Sequence, residues 1–108
     1  MTVKELQQKL ALSVLCEGDM SKECRGCYSG DLLSWVMSRA KENDIWLTVM
    51  GNVNSVAVAV LTDCACIVLT ESSPLDEDAL MRAELQGVTV LQSDKNAYTL
   101  SVLISKLL

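Results

Sequence analysis

The sequence predicts an α/β fold: one three-layer domain whose central, mostly parallel sheet is flanked by helices. Two observations carry that prediction. Short runs rich in strand formers ("LSVLC", "IWLTV", "CIVLT", "VTVL") alternate along the chain with segments of helical periodicity. In addition, the 108 residues are half apolar, with only one Pro and five Gly, enough for one hydrophobic core and one domain over 1–108.

The elements follow in order. "TVKEL" opens a helix with a capping box, in which Thr2 serves the backbone N–H of Glu5 and Glu5 reaches back; Val3, Leu6 and Leu10 make its apolar stripe. "LSVLC", 12–16, reads as a strand, and "EGDMSKECRG" as polar turn. Residues 31–40 read as a helix, with Leu32, Val36 and Ala40 on one line. "IWLTV", 45–49, is a strand and "MGNVN" a loop. "SVAVAVL" alternates like a strand, but its alanines and an Asn54 or Ser55 cap favour a helix, which gives a βαβ crossover into "CIVLT", 66–70. Leu75 to Gln86 is a helix with acidic residues at its start and Gly87 at its close. "VTVL", 88–91, is a strand, "QSDKN" a loop, and Ala97, Leu100, Leu103, Ile104 and Leu107 stripe a last helix. The sheet is expected to hold about four or five strands.

Composition excludes several functions. The formal charge is 9 − 14 = −5 with no basic cluster, so nucleic acid is not an expected partner. No apolar run reaches the length of a membrane span and the first residues lack a signal-peptide core, so no membrane association is expected and the chain reads as cytoplasmic. The absence of His removes Ser-His-Asp and Cys-His catalysis and mixed Cys/His zinc sites. There is no GxxxxGK[ST] phosphate loop and no GxGxxG after a strand. No carboxylate pairs recognisably with a base or nucleophile, so no catalytic residue is assigned and the chain is not read as an enzyme.

The five cysteines include a CxxC at Cys24 and Cys27 and a CxC at Cys64 and Cys66, with Cys16 apart. A zinc ribbon needs two CxxC pairs, and Cys66 shares a strand face with the apolar Val68. The cysteines are therefore expected to be reduced and mostly core, with no metal and no cofactor.

The stretches "GCYSGDLLSWVM", "NDIWLTVMGNVNSVAVAVL" and "ACIVLT" resemble the DRTGG domain family. Gly26, Tyr28, Asp31, Leu32, Leu33, Ser34, Val36 and Met37 match its first motif; Trp46, Thr48, Asn54, Val56, Ala57, Val58 and Ala59 match its second and third. The resemblance covers nearly the whole chain. It implies a fold similar to the N-terminal domain of HPr kinase/phosphatase, without that kinase's phosphate loop. The family occurs as small free-standing proteins and inside larger ones such as some phosphotransacetylases. The chain departs from the family pattern at Cys27 and Glu71-Ser72, where the family has glycines, at Gly30, where it has Ser, and at Asn52, where it has His.

Ligands of open α/β sheets gather where parallel strands end and the next helices begin. The expected ligand-binding residues are therefore Thr48, Met50, Gly51, Asn52 and Asn54 around one strand end and Thr70, Glu71 and Ser72 around the next. Gly26 and Tyr28 are expected along the same edge. The bland alternative for Asn54 is a helix cap.

The function expected is a non-enzymatic regulatory or sensor module binding a small ligand, either a nucleotide or another phosphorylated metabolite. The alternative is a homodimeric interaction module that docks onto a metabolic enzyme, with Trp35, off the Leu32–Val36–Ala40 line, at the contact. A metal or redox protein using the cysteines is the third reading.

Overall fold

The computed structural model describes all 108 residues. In chain order the elements are α1 (Val3–Lys9), β1 (Ser13–Cys16), β2 (Gly26–Ser29), α2 (Leu33–Arg39), β3 (Asp44–Thr48), α3 (Val53–Thr62), β4 (Cys66–Leu69), α4 (Glu77–Gln86), β5 (Val90–Gln92) and α5 (Ala97–Leu107). The five strands form one sheet in the order β1-β5-β4-β3-β2. Strands β2 to β5 are parallel, and β1 runs antiparallel to β5 at one edge.

Strands β3 and β4 are buried along their whole length, because helices cover both faces of the sheet. Their side chains alternate between two cores. Ile45, Leu47, Cys66, Val68 and Leu91 point to a core closed by Val3 and Leu6 of α1 and Leu100 and Ile104 of α5. Trp46, Ile67, Leu69 and Val90 point to the other, closed by Val36 of α2, Val56 and Ala59 of α3, and Ala79 and Ala83 of α4. Three layers result. No helix is long and apolar enough to cross a membrane.

Local chemistry sets the helix ends. Thr2 and Glu5 form the expected capping box on α1. Gly87 closes α4 at φ 71°, a left-handed conformation that costs glycine little. Asn96 caps α5 by accepting from Thr99 N at 2.9 Å. The cap of α3 is Asn52, not Asn54 or Ser55: its Oδ1 accepts from Ser55 N at 2.9 Å. The helix starts one residue after Asn52, so Asn54 falls in its first turn.

Strand β2 was not foreseen. It is only four residues long, lies at the sheet edge and alternates between exposed and half-buried positions, so "GCYS" has no buried apolar run. Joining β1 to β2 requires the chain to travel from one edge of the sheet to the other. Residues 17–25 do this below the starts of the parallel strands. Gly18 N donates to Thr89 Oγ1 at 3.0 Å, and Lys22 Nζ donates to the Asp63 carboxylate and to the Cys64 carbonyl, the latter at 3.1 Å. A Cβ on Gly18 would lie 2.3 Å from the Gly87 carbonyl oxygen, so this crossing requires glycine there.

Trp46 is fully buried, and its indole N–H donates to the Gly30 carbonyl at 2.9 Å, tying β3 to the end of β2. Trp46→Ala removes the largest core side chain, and we expect it to cost about 3–5 kcal/mol of stability, read as a lower urea midpoint by circular dichroism.

Candidate functional site

The carboxyl ends of β3, β4 and β5 place three loops side by side. The first, after β3, is organised by Asp31 at the end of β2. Its Oδ1 accepts from Thr48 Oγ1 at 2.7 Å and from Val49 N at 2.9 Å, and Thr48 Oγ1 accepts from Met50 N at 3.2 Å. Gly51 then passes against the second loop: a Cβ there would sit 2.0 Å from the Pro74 carbonyl oxygen, and Asp76 N donates to the Gly51 carbonyl at 2.8 Å.

The second loop leaves β4 through Thr70, which is buried and donates its N–H to the Thr48 carbonyl at 3.0 Å. Glu71 and Ser72 follow, both at φ 55°. Two successive left-handed residues with β-carbons are unfavourable, and they stand where the family pattern has two glycines. Two cross-loop bonds hold them: Glu71 N donates to the Lys95 carbonyl at 2.9 Å, and Ser72 N to the Ser93 carbonyl at 2.8 Å. The side chains of Glu71 and Ser72 are left exposed.

Between this loop, the loop after β5 and the start of β1 lies a cleft of about 280 Å³ lined by Leu10, Ala11, Ser13, Ser72, Gln92, Ser93, Asp94 and Lys95. Three hydroxyls, one amide, one carboxylate and one ammonium make a polar site. Ser93 is buried and accepts from Lys95 N at 3.1 Å, while Lys95 is half-exposed, with Asp94 3.8 Å away as its ionic neighbour. Gln92 Nε2 is committed to the Ser73 carbonyl at 2.9 Å, which holds its amide against the second loop. Ala11, a third left-handed residue, closes the cleft from the α1 side.

The residues expected from sequence divide into groups. Thr48, Met50, Gly51, Asn52, Thr70, Glu71 and Ser72 do come together on this edge, but only Ser72 lines the cleft. Thr48 and Asn52 spend their side chains on Asp31 and on the α3 cap. Asn54 is exposed on α3. Tyr28 packs half-buried against the Trp46 core. Gly26 lies at the opposite edge, because β2 runs parallel to β3 and begins there; its missing Cβ would meet Asp44 Oδ1 at 2.5 Å. Sequence reading missed Asp31 as the organiser of the first loop, and Ser13, Gln92, Ser93 and Lys95 as cleft residues. The usable signal for the last three was their position just after a parallel strand; Ser13 joins them only through the antiparallel pairing with Gln92.

A slightly larger cleft, about 310 Å³, lies at the opposite edge beside Asp19, Lys22, Asp63 and Thr89. Its one ammonium is already consumed by the Asp63 carboxylate and by the carbonyls of Asp63 and Cys64, so the cation there serves the fold.

The cysteines carry no disulfide, and no three potential metal ligands converge. Cys16, Cys24, Cys64 and Cys66 are buried; Cys27 is exposed on β2. Burial pushes the Cys24 thiol up to about 11 and Cys64 up to about 12, and drives Cys66 well above its ordinary value. Thiolate, the reactive form, is therefore scarce at neutral pH.

The DRTGG domain family profile matches residues 5–107. No curated protein matches the chain. Among solved structures, the CBS and DRTGG domains of the regulatory region of Clostridium perfringens pyrophosphatase, complexed with the activator diadenosine tetraphosphate, share its fold with a TM-score of 0.76. Identity is 12%, over 95% of this chain and 45% of that one, so the chain spans less than half of its neighbour's length.

Two outcomes follow from this geometry. Glu71→Gly and Ser72→Gly relieve left-handed strain, and each is expected to raise stability by ~0.5–1 kcal/mol in urea denaturation, after allowing for glycine's greater unfolded entropy. For the thiols, the folded protein holds protons more tightly than the unfolded chain, whose cysteines titrate near 9. Stability is therefore unaffected by them below that pH and falls as pH rises from about 9 towards 12, by on the order of 1 kcal/mol for Cys64 at pH 10, with Cys66 acting in the same direction. Urea titrations between pH 7 and pH 10 would check this, and a flat profile would contradict it.

Proposed function

The chain belongs to the DRTGG domain family, and from that premise we propose that it is a non-enzymatic regulatory module whose ligand is a small phosphorylated metabolite or nucleotide. The observation that carries this reading is the polar cleft at the carboxyl edge of the sheet, lined by Ser13, Ser72 and Ser93 together with Lys95 just before α5. A phosphate needs a cation and several donors held by rigid neighbours, and the cross-linked loops hold them. The position agrees with the general preference of open α/β sheets for binding at strand ends. The occurrence of a DRTGG domain in the regulatory region of a pyrophosphatase with a nucleotide activator supports a regulatory role and a ligand of this class. The carboxylates of Glu71 and Asp94 select against a highly charged phosphate cluster lying flat over the loops, and favour a single phosphoryl group entering beside Lys95.

Five unbridged thiols suit a reducing compartment, and we place the protein in the cytoplasm. No side chain in the cleft pairs a nucleophile with a base, so binding rather than turnover is the role assigned to it.

The test is a thermal-shift and calorimetric screen of the purified chain against inorganic phosphate, adenosine mono-, di- and triphosphates and diadenosine tetraphosphate. A ligand at a hundredfold excess over its Kd is expected to add about 2.7 kcal/mol of stability. Lys95→Ala should abolish that gain without lowering the unliganded melting temperature, since its side chain is half-exposed and its one ionic neighbour, Asp94, is 3.8 Å away. Asn54→Ala should leave binding unchanged. Ligand gain that survives Lys95→Ala, or no gain from any phosphorylated compound, contradicts the reading.

A further inference from the structure

The two outer strands of the sheet differ. Strand β1 loses its regular register between Val14 and Cys16, the kind of irregularity that blunts an edge against further pairing. Strand β2, at the other end of the order, keeps an unbroken register with β3 from Gly26 to Ser29 and contains no proline and no charged residue. Main-chain groups of a parallel strand point alternately to its two sides. Arg25 N donates to the Asn43 carbonyl on the β3 side, so the N–H and C=O of Gly26 and Tyr28 point outward, where no strand meets them.

Helix α2, which links β2 to β3, is the outermost helix on its face of the sheet, with α3 on one side of it. Val36 is its buried residue. Leu32, Trp35 and Arg39, at helical spacing, fall together on the flank that a right-handed crossover turns away from α3. Leu32 is 61% and Trp35 52% exposed, and the Arg39 guanidinium lies 3.6 Å from the Trp35 ring centroid. Ring and cation form a shelf beside the β2 edge. Because α2 runs antiparallel to the strands, its last turn lies at the amino end of β2. There Arg39 is joined by Arg25, just before β2, and by Lys41, whose backbone N–H donates to the Asp44 carboxylate beside Gly26. None of these three cations has a carboxylate partner. Of the carboxylates nearby, Glu23 is held by the terminal amine and Asp44 is buried, which leaves Glu42 alone free. A chain of formal charge −5 thus keeps three of its nine cations unpaired at one end of an open strand.

We propose that the outer edge of β2 and the Leu32–Trp35 shelf bind an extended acidic and apolar segment of a partner protein, which adds to the sheet as a further strand. Main-chain bonds at Gly26 and Tyr28 set its register. Its apolar residues lie on Leu32 and Trp35 towards the carboxyl end of β2, and its acidic residues meet Arg25, Arg39 and Lys41 at the amino end. The unpaired cations are what select an acidic segment, and an exposed Trp beside an Arg is the side-chain pair on which such contacts most often turn. This inference does not depend on the ligand reading.

Panning a library of short random peptides against the folded chain tests it, followed by fluorescence titration of the enriched peptides and amide exchange read by NMR. Enriched peptides should carry acidic residues at one end and apolar strand formers at the other, and should bind more weakly as salt rises. Trp35→Ser, and Arg39→Glu combined with Lys41→Glu, should each weaken binding at least ~tenfold while the circular dichroism melt stays that of the parent, since all three side chains are exposed. Bound peptide should slow exchange at the outward amides of Gly26 and Tyr28 and leave Arg25, already bonded to β3, unchanged. That pattern decides the matter if a variant does not fold. No enrichment, enriched peptides without acidic residues, a binder indifferent to these variants, or unchanged exchange at Gly26 and Tyr28 overturns the proposal. So does protection of those two amides in the free protein that vanishes on dilution, since a second copy would then occupy the edge.

Discussion

The fold depends on a single crossing. Because β1 sits at one edge of the sheet and β2 at the other, residues 17–25 must traverse the width of the sheet beneath the parallel strands. Lys22 is the peg that makes this possible. Its ammonium donates to the Asp63 carboxylate and to the carbonyls of Asp63 and Cys64, just past the end of α3, where unsatisfied carbonyls favour a cation. Asp63 itself takes a left-handed conformation to turn the chain from α3 into β4. One side chain therefore fixes the crossing segment, the end of α3 and the entry to the central strand. Backbone bonds from Val3 to Lys22 and from Lys4 to Met20 add α1 to the same assembly.

With the amino edge of the sheet committed to holding the fold, the carboxyl edge is free to be irregular. Three of the five left-handed non-glycine residues, Ala11, Glu71 and Ser72, lie there close to one cleft, while Asn43 and Asp63 turn the chain into β3 and β4 at the amino edge. Each costs about 1–2 kcal/mol of conformational energy, and at Glu71 and Ser72 the cost is offset by hydrogen bonds to the neighbouring loop after β5. Strain held in this way keeps backbone and hydroxyl groups facing a polar space, which burial in a core would forbid.

The division between what the sequence revealed and what it did not has a physical basis. Periodic, buried elements were legible: α1 with its Thr2–Glu5 box, β3, β4, α4 with Gly87, and α5 all lie where apolar pattern and capping place them. The helix at 53–62 was recoverable despite its strand-like alternation, since a crossover between two buried parallel strands demands one. Its cap, expected at Asn54 or Ser55, lies two or three positions earlier because "NVNS" offers several capping side chains, and only the tertiary position of the loop chooses Asn52. Strand β2 escaped because an edge strand of four residues earns its pairing from β3 and not from its own pattern. The cleft was half legible. Its second loop follows from a rule about strand ends, whereas Ser13 enters only through the antiparallel register with Gln92, a long-range pairing that no local pattern encodes. Asp31 was legible as a match to the family's first motif; that it accepts from Thr48 and Val49 depends on β2 being there at all.

The loop that borders the cleft is tied to the helical layer. Helix α4 begins directly after the loop that contains Glu71 and Ser72, and its outer face carries Met81 and Leu85. A helix of ten residues transmits displacement as a rigid body, because its backbone bonds resist local bending far more than loops do. Gly51 and Asp76 tie the start of α4 to the loop that leads into α3, so the two central helices of the layer share an anchor. A ligand that repositions the 70–76 loop would therefore be felt at the starts of both helices, whereas one that fits the cleft without moving that loop would leave the helical layer as it stands.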